Sequence, residues 1–251
     1  MTIFSDAVKV SATYRPGGRS TISATYGGRA APYAILKGKV VDRAIGFRLL
    51  RQDLRDAKLW ISRANEFMAV AQTELGQRRN KSGPTIQKKA HEKSELARAF
   101  FVAALAFYGK AFRKSDGRLA RLSESNLHID FQLAHIFFLS QRDAFAAHSG
   151  IERYEVGHAV AVMHPNPRKV KSLVVSYSMH RPNLVFEASD GRTFLELLEH
   201  AEGVAQTKLD AAMAGVRKRV GSINLVSWTR LIQRKGEVNL DDPNFAGHLT
   251  Q

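Results

Sequence analysis

The segment from Gln87 to Arg113 most constrains how this chain can fold. Its first half is charged, and its second half is apolar nearly all round, with Ala99 to Tyr108 uninterrupted. A helix that is apolar on every side is stable only when other elements surround it. This one is expected to be the central helix of a core. The run spans ten residues, too few to cross a bilayer as a helix, so no membrane insertion is expected.

Three further helices are expected around it. Residues 50–76 place Leu54, Ala57, Leu59, Trp60, Ile61, Ala64, Phe67, Met68, Ala71 and Leu75 at helical spacing with a wide buried face. A third helix covers about 124–148, and its stretch Ile129 to Leu139 is apolar enough to be buried. A fourth begins at the capping box Thr193-x-x-Glu196 and runs to about Val220, ending in Arg217-Lys218-Arg219, which suits the negative pole of a helix dipole. Between the third and fourth lie strand-like runs at 158–163, 172–178 and 184–187, bounded by proline-containing turns. The expected architecture is mainly α: a helical bundle with a small antiparallel β-sheet inserted at about 156–188, before the last long helix. Residues 41–221 form this domain, and the weakly patterned residues 222–251 form a C-terminal tail.

Residues 1–40 read as a basic N-terminal arm. Within it Ser11-Ala12-Thr13-Tyr14 leads to Gly17-Gly18-Arg19, and Ser23-Ala24-Thr25-Tyr26 leads to Gly27-Gly28-Arg29. This composition fits a flexible arm or a loose hairpin. The first six residues lack a basic region followed by an apolar core, so no signal peptide is expected, and a cytoplasmic protein is.

The formal net charge is +15. Such a balance favours an acidic partner, nucleic acid first and an anionic membrane surface second. The charge is also concentrated: residues 76–121 hold twelve Lys/Arg against Glu92, Glu95 and Asp116, a net +9. Arg78, Arg79, Lys110, Arg113, Lys114, Arg118 and Arg121 are the candidate RNA contacts.

With no cysteine, the chain has neither disulfides nor thiolate–metal sites. His128 and His135 share a helix face but lack a third metal ligand, so both are expected in or at the rim of the core. No metal and no cofactor are expected. Gly-Gly-Arg is not followed by the Gly-Lys-Ser/Thr of a phosphate loop, and no Gly-x-Ser-x-Gly elbow occurs. The phenylalanines 100, 101, 107, 112, 131, 137 and 138 fall in dense apolar helices and are expected to be core.

One stretch concentrates chemistry: Gln141-Arg142-Asp143-Ala144-Phe145-Ala146-Ala147-His148-Ser149-Gly150. Arginine stays charged and suits a phosphate, and histidine exchanges a proton near neutral pH. Together on one phosphodiester they can cleave RNA without a metal. Spacing alone does not single them out. With 23 Arg and 9 His, chance gives about 2.5 Arg–His pairs five to seven residues apart, and three occur. The context distinguishes Arg142/His148: an apolar helix precedes the pair, an acid follows the arginine, and small residues surround the histidine.

Arg-Asp-x-x-x-Ala-His-Ser at a helix end resembles the Arg-x(4–6)-His motif of the HEPN superfamily. The aromatic helix Ala103 to Phe112, followed by Gly117-x-Leu119, adds to the likeness, which covers about residues 50–155. The resemblance implies a helical domain that dimerises and a metal-independent RNA endonuclease of toxin or antiphage type, with an antitoxin protein as a further partner. His148 would be the general base and Arg142 the phosphate stabiliser; Asp143 would orient Arg142 or contact the motif of a second copy, and Ser149 would donate a hydrogen bond. The purely structural expectation for the same residues is that Arg142 pairs with Asp143 or a neighbouring acid such as Glu152 and that His148 caps a helix end. The alternative expectation is a non-catalytic HEPN-like module that uses the same basic face to hold RNA or a protein.

Overall fold

The computed structural model describes residues 7–14, 20–76, 84–114, 119–143, 156–162, 174–180, 184–223, 228, 229, 232 and 237–242. The chain is mainly helical, with small β elements. It divides into two compact units: residues 46–208, and the chain ends, 1–45 with 209–251.

The central unit is built on four helices: most of α1 (Lys39–Gly76), α2 (Pro84–Phe112), α3 (Gln132–Arg142) and the first half of α4 (Phe194–Gly221). α1 offers Leu50, Leu54, Ala57, Ile61 and Ala64 to the interior, the spacing that puts them on one helical face. Leu59, expected on the buried face, is exposed. The apolar half of α2 supplies Phe101, Ala104, Leu105 and Tyr108, all fully buried, as a central helix requires. Phe194 opens α4 and joins three elements: its ring stacks on Phe138 of α3 at 4.4 Å and meets the edges of Phe101 and Tyr108 of α2 at 6.1 and 5.4 Å. The Thr193–Glu196 capping box forms, with Glu196 N–H donating to Thr193 Oγ1 (3.2 Å) and Thr193 N–H donating to Glu196 Oε2 (2.8 Å). On the outside, Glu202 of α4 accepts from Arg55 (2.7 Å) and Lys58 (3.1 Å) of α1. Partial burial pushes its carboxyl up, but these two cations and their hydrogen bonds outweigh it and hold the group below the usual range.

The third helix starts later than its sequence suggests, and the end of its expected span, 144–148, lies outside the described residues. It begins at Gln132, not near 124, because side chains take the backbone groups upstream. Asn126 Oδ1 accepts from Ser123 N–H (3.0 Å), and His128 N–H donates to His200 Nε2 of α4 (2.9 Å). Two 3-10 turns, Glu124–Asn126 and Ile129–Phe131, stand where the helix was expected. Nor is its apolar stretch wholly buried: Ala134, His135 and Phe138 face the core, whereas Leu133 and Ile136 are exposed.

Between α3 and α4 runs an antiparallel pair, β5 (Val156–Val162) and β6 (Val174–His180), in register from Val156↔His180 to Val162↔Val174. The third expected strand, 184–187, is reduced to a single bridge between Glu187 and Thr193.

The unit of the chain ends contains a hairpin, β1 (Val8–Tyr14) and β2 (Ser20–Tyr26), extended by β3 (Arg29–Ala30). Of the two readings of the N-terminal repeat, these residues form the hairpin. The repeat becomes two facing strands, with Ser11 opposite Ser23 and their hydroxyls 2.7 Å apart. Gly27 and Gly28 turn β2 into β3 with φ of +56° and +80°, the two positive angles of a type I′ turn. Separately, β4 (Ile35–Lys37) pairs in parallel with β7 (Glu237–Asn239), a strand within the tail that carries no visible pattern. Val238 is fully buried there, in a cluster with Val41, Ala44, Val216 and Leu240.

Candidate functional site: a paired-arginine end of the central helix

Arg142 is the last residue of α3, and its side chain lies across α2 at Gly109. A Cβ at that glycine would stand 2.8 Å from both Cδ and Nε of Arg142. Gly109 lies in the last turn of α2, where a glycine costs up to about 1 kcal/mol relative to alanine. Here its missing side chain is the space the arginine occupies. Arg142 Nε is buried and has no hydrogen-bond acceptor among the described residues.

Asp143 follows immediately and is held at the helix end by its own N–H, which donates to the carbonyls of Leu139 and Ser140. Its two carboxylate oxygens are divided. Oδ1 accepts from Arg142 Nη1 (2.6 Å), and Oδ2 accepts from Arg113 Nη2 (2.8 Å). Arg113 stands just beyond α2, one turn after Gly109, its N–H donating to the Gly109 carbonyl (3.1 Å). The acid therefore joins guanidiniums from two helices. Side-chain exposure decides what each can do: 27% for Arg142, 38% for Asp143 and 57% for Arg113. Arg142 is fixed by packing, and Arg113 reaches into water.

Other expected contact residues gather at this same end of α2. Lys110 is exposed on its final turn, where a cation also favours the negative pole of the helix, and Lys114 is exposed two residues beyond it. The Lys110 ammonium sits 3.6 Å from the centre of the Phe107 ring. Arg121 is exposed and is brought alongside because Leu122 N–H donates to the Ala111 carbonyl (2.8 Å). Arg78, Arg79, Arg118, His148 and Ser149 lie outside the described residues.

The histidines upstream separate as their chemistry requires. His135 is buried, with Nδ1 2.7 Å from the Tyr108 hydroxyl. Burial lowers its pKa, against a smaller opposing pull from Glu124, and burial raises the Tyr108 hydroxyl well above its ordinary value. Both groups stay neutral and tie α3 to α2. His128 is exposed, at the rim, beside Asp130 (3.3 Å). Among the described residues no cluster of His, Asp and Glu could hold a metal ion, and no helix is long and apolar enough to cross a membrane.

Sequence reasoning placed Arg142, Asp143, Lys110, Arg113, Lys114 and Arg121 in the candidate site but missed two features. Gly109 as the seat of Arg142 had one signal, a glycine where helix packing favours alanine. The sharing of Asp143 between two arginines had none, because Arg113 and Asp143 are thirty residues apart. No protein-family model, curated protein or solved structure matches this chain.

Proposed function

We propose that this protein is a metal-independent RNA endonuclease of HEPN type, acting as a cytoplasmic toxin or antiphage effector. The observation that carries the reading is the paired guanidinium end of α2, where Arg142 is fixed over Gly109 and Arg113 is linked to it through Asp143. Two guanidiniums converging on one point provide the planar donors that bind a phosphodiester. Lys110, Lys114 and Arg121 extend the cationic surface along a strand of RNA.

In the proposed reaction His148 takes the proton of a ribose 2′-hydroxyl as general base. The freed oxygen attacks the adjacent phosphorus, and the 5′-oxygen of the next nucleotide leaves with a proton. Arg142 stabilises the additional negative charge of the pentacoordinate state. Ser149 donates a hydrogen bond to the same group. The products are a 2′,3′-cyclic phosphate and a 5′-hydroxyl end.

The same reading includes a homodimer. Leu133 and Ile136, at helical spacing on α3, are 64% and 54% exposed, and Ile129 in the preceding 3-10 turn is 68% exposed, apolar residues suited to a second copy. An antitoxin protein would then restrain the enzyme by covering its cationic surface.

The test incubates purified protein with total RNA in excess EDTA, beside a His148→Ala variant. Cleavage is expected to persist under chelation and to fall by at least about a hundredfold in the variant, the usual scale of a lost general base. Loss of cleavage on chelation, or equal cleavage by the variant, contradicts the proposal. RNA binding without cleavage would instead identify a non-catalytic module built on the same surface.

A further inference from the structure

We infer that the Asp143 carboxylate occupies the position of a phosphate between Arg142 and Arg113, and that an RNA phosphodiester binds by displacing it. This inference rests on the proposed reading of the site as an RNA-binding centre. Its basis is the way the carboxylate is shared. Each of its oxygens accepts from a different guanidinium, at 2.6 and 2.8 Å. The two non-bridging oxygens of a phosphodiester present the same fork with the same single charge, so the exchange leaves the local charge unchanged.

Three further observations make the exchange cheap. Asp143 is 38% exposed, so its carboxylate can turn into water without being stranded in an apolar interior. Arg142 cannot follow it, because its aliphatic stem is seated over Gly109. Arg113 is anchored by its backbone to the last turn of α2 while its head is exposed. When the acid leaves, both donors remain aimed at the vacated point. Lys110, Lys114 and Arg121 then favour a polyanion over the isolated carboxylate. Asp143 thus balances the charge of the two arginines while the site is empty and competes with the ligand for them.

The competition makes a prediction opposite to that for an ordinary site residue. Asp143→Asn keeps the size of the side chain and removes its charge. Binding of a 2′-O-methylated, uncleavable RNA oligonucleotide, followed by fluorescence anisotropy, is expected to tighten about tenfold, the scale of one charge-assisted contact. The slope of log affinity against log salt should steepen by about 0.7, the release of one further counterion from a single strand. Glu66→Gln removes the same charge from an exposed pair with Arg63 on α1 and should change neither quantity beyond a factor of about two. Adding Arg113→Gln to Asp143→Asn should erase the gain. Equal or weaker binding by a folded Asp143→Asn protein overturns the inference, as does equal tightening by Glu66→Gln. If Asp143→Asn does not fold, Arg113→Gln alone decides: it removes one arm at an exposed position, and an unchanged affinity overturns the clamp. Because the probe cannot be cleaved, these outcomes are independent of catalysis. A protein that shows them but never cuts RNA keeps the clamp and loses the nuclease reading.

Discussion

At the scale of single residues, Gly109 and Arg142 form one device, and opposing magnitudes allow a sharp expectation. Alanine at position 109 would favour the helix by up to about 1 kcal/mol. It would also drive the Arg142 stem away from a point 2.8 Å distant and loosen a partly exposed ion pair that contributes less than about 1 kcal/mol. The two nearly cancel, so Gly109→Ala should leave the melting temperature within a few degrees while RNA affinity falls about tenfold. Parallel calorimetry and binding measurements check this. A large loss of stability, or unchanged binding, would count against the role given to Gly109. Tyr108 and His135 act through stability alone. Tyr108→Phe leaves His135 Nδ1 buried without its partner and should cost about 1–3 kcal/mol in chemical denaturation. The arginine and its acid were legible from side-chain chemistry. The glycine was not, since its meaning depends on which helix crosses it.

At the scale of elements, legibility followed length. The long helices announced themselves through repeated apolar spacing, and Thr193 with Glu196 marked the start of α4 to the residue. α3 was overextended because its upstream segment is apolar, and periodicity does not register that Asn126 and His128 divert the backbone into 3-10 turns. β7 was invisible because three residues carry no period, yet Val238 within it is fully buried. The residues after β7 close the chain on itself. Asp241 accepts from Lys39 N–H at the start of α1, 202 residues away, and pairs with Arg219 at 2.6 Å. Gly38 makes room for this contact: its φ is +119°, and a Cβ there would lie 2.9 Å from Asn239 Oδ1 and 3.0 Å from Asp241. Asp241→Ala removes a helix cap and an ion pair and should lower stability by about 1–2 kcal/mol. Amide exchange at the start of α1 should accelerate with it. Unaltered exchange there would show that the cap is dispensable.

At the scale of the whole molecule, two histidines contribute to the response to mild acid. The pKa of His135 is lowered by burial, against Glu124; that of His200 is lowered by burial and by the charge of His128. A histidine with a lowered folded pKa binds its proton more readily in the unfolded chain. The unfolded state therefore gains protons first as pH falls, and stability present above about 6.5 is lost below it. Denaturant titrations at neutral and mildly acidic pH should show a lower midpoint in acid, and a smaller pH effect in His135→Gln. The net charge of +15 sets an expectation of an acidic partner, and Lys110, Arg113, Lys114 and Arg121 are exposed at one end of α2. The central claim is that Arg142 and His148 meet on one ribose-phosphate link, and the chemistry of the cut tests it most directly. A labelled single-stranded RNA, cut by the protein in EDTA, should yield 2′,3′-cyclic phosphate and 5′-hydroxyl ends, and one 2′-deoxy residue should abolish the cut at its own position alone. Cleavage that tolerates the deoxy sugar, or that leaves a 5′-phosphate, would contradict the account.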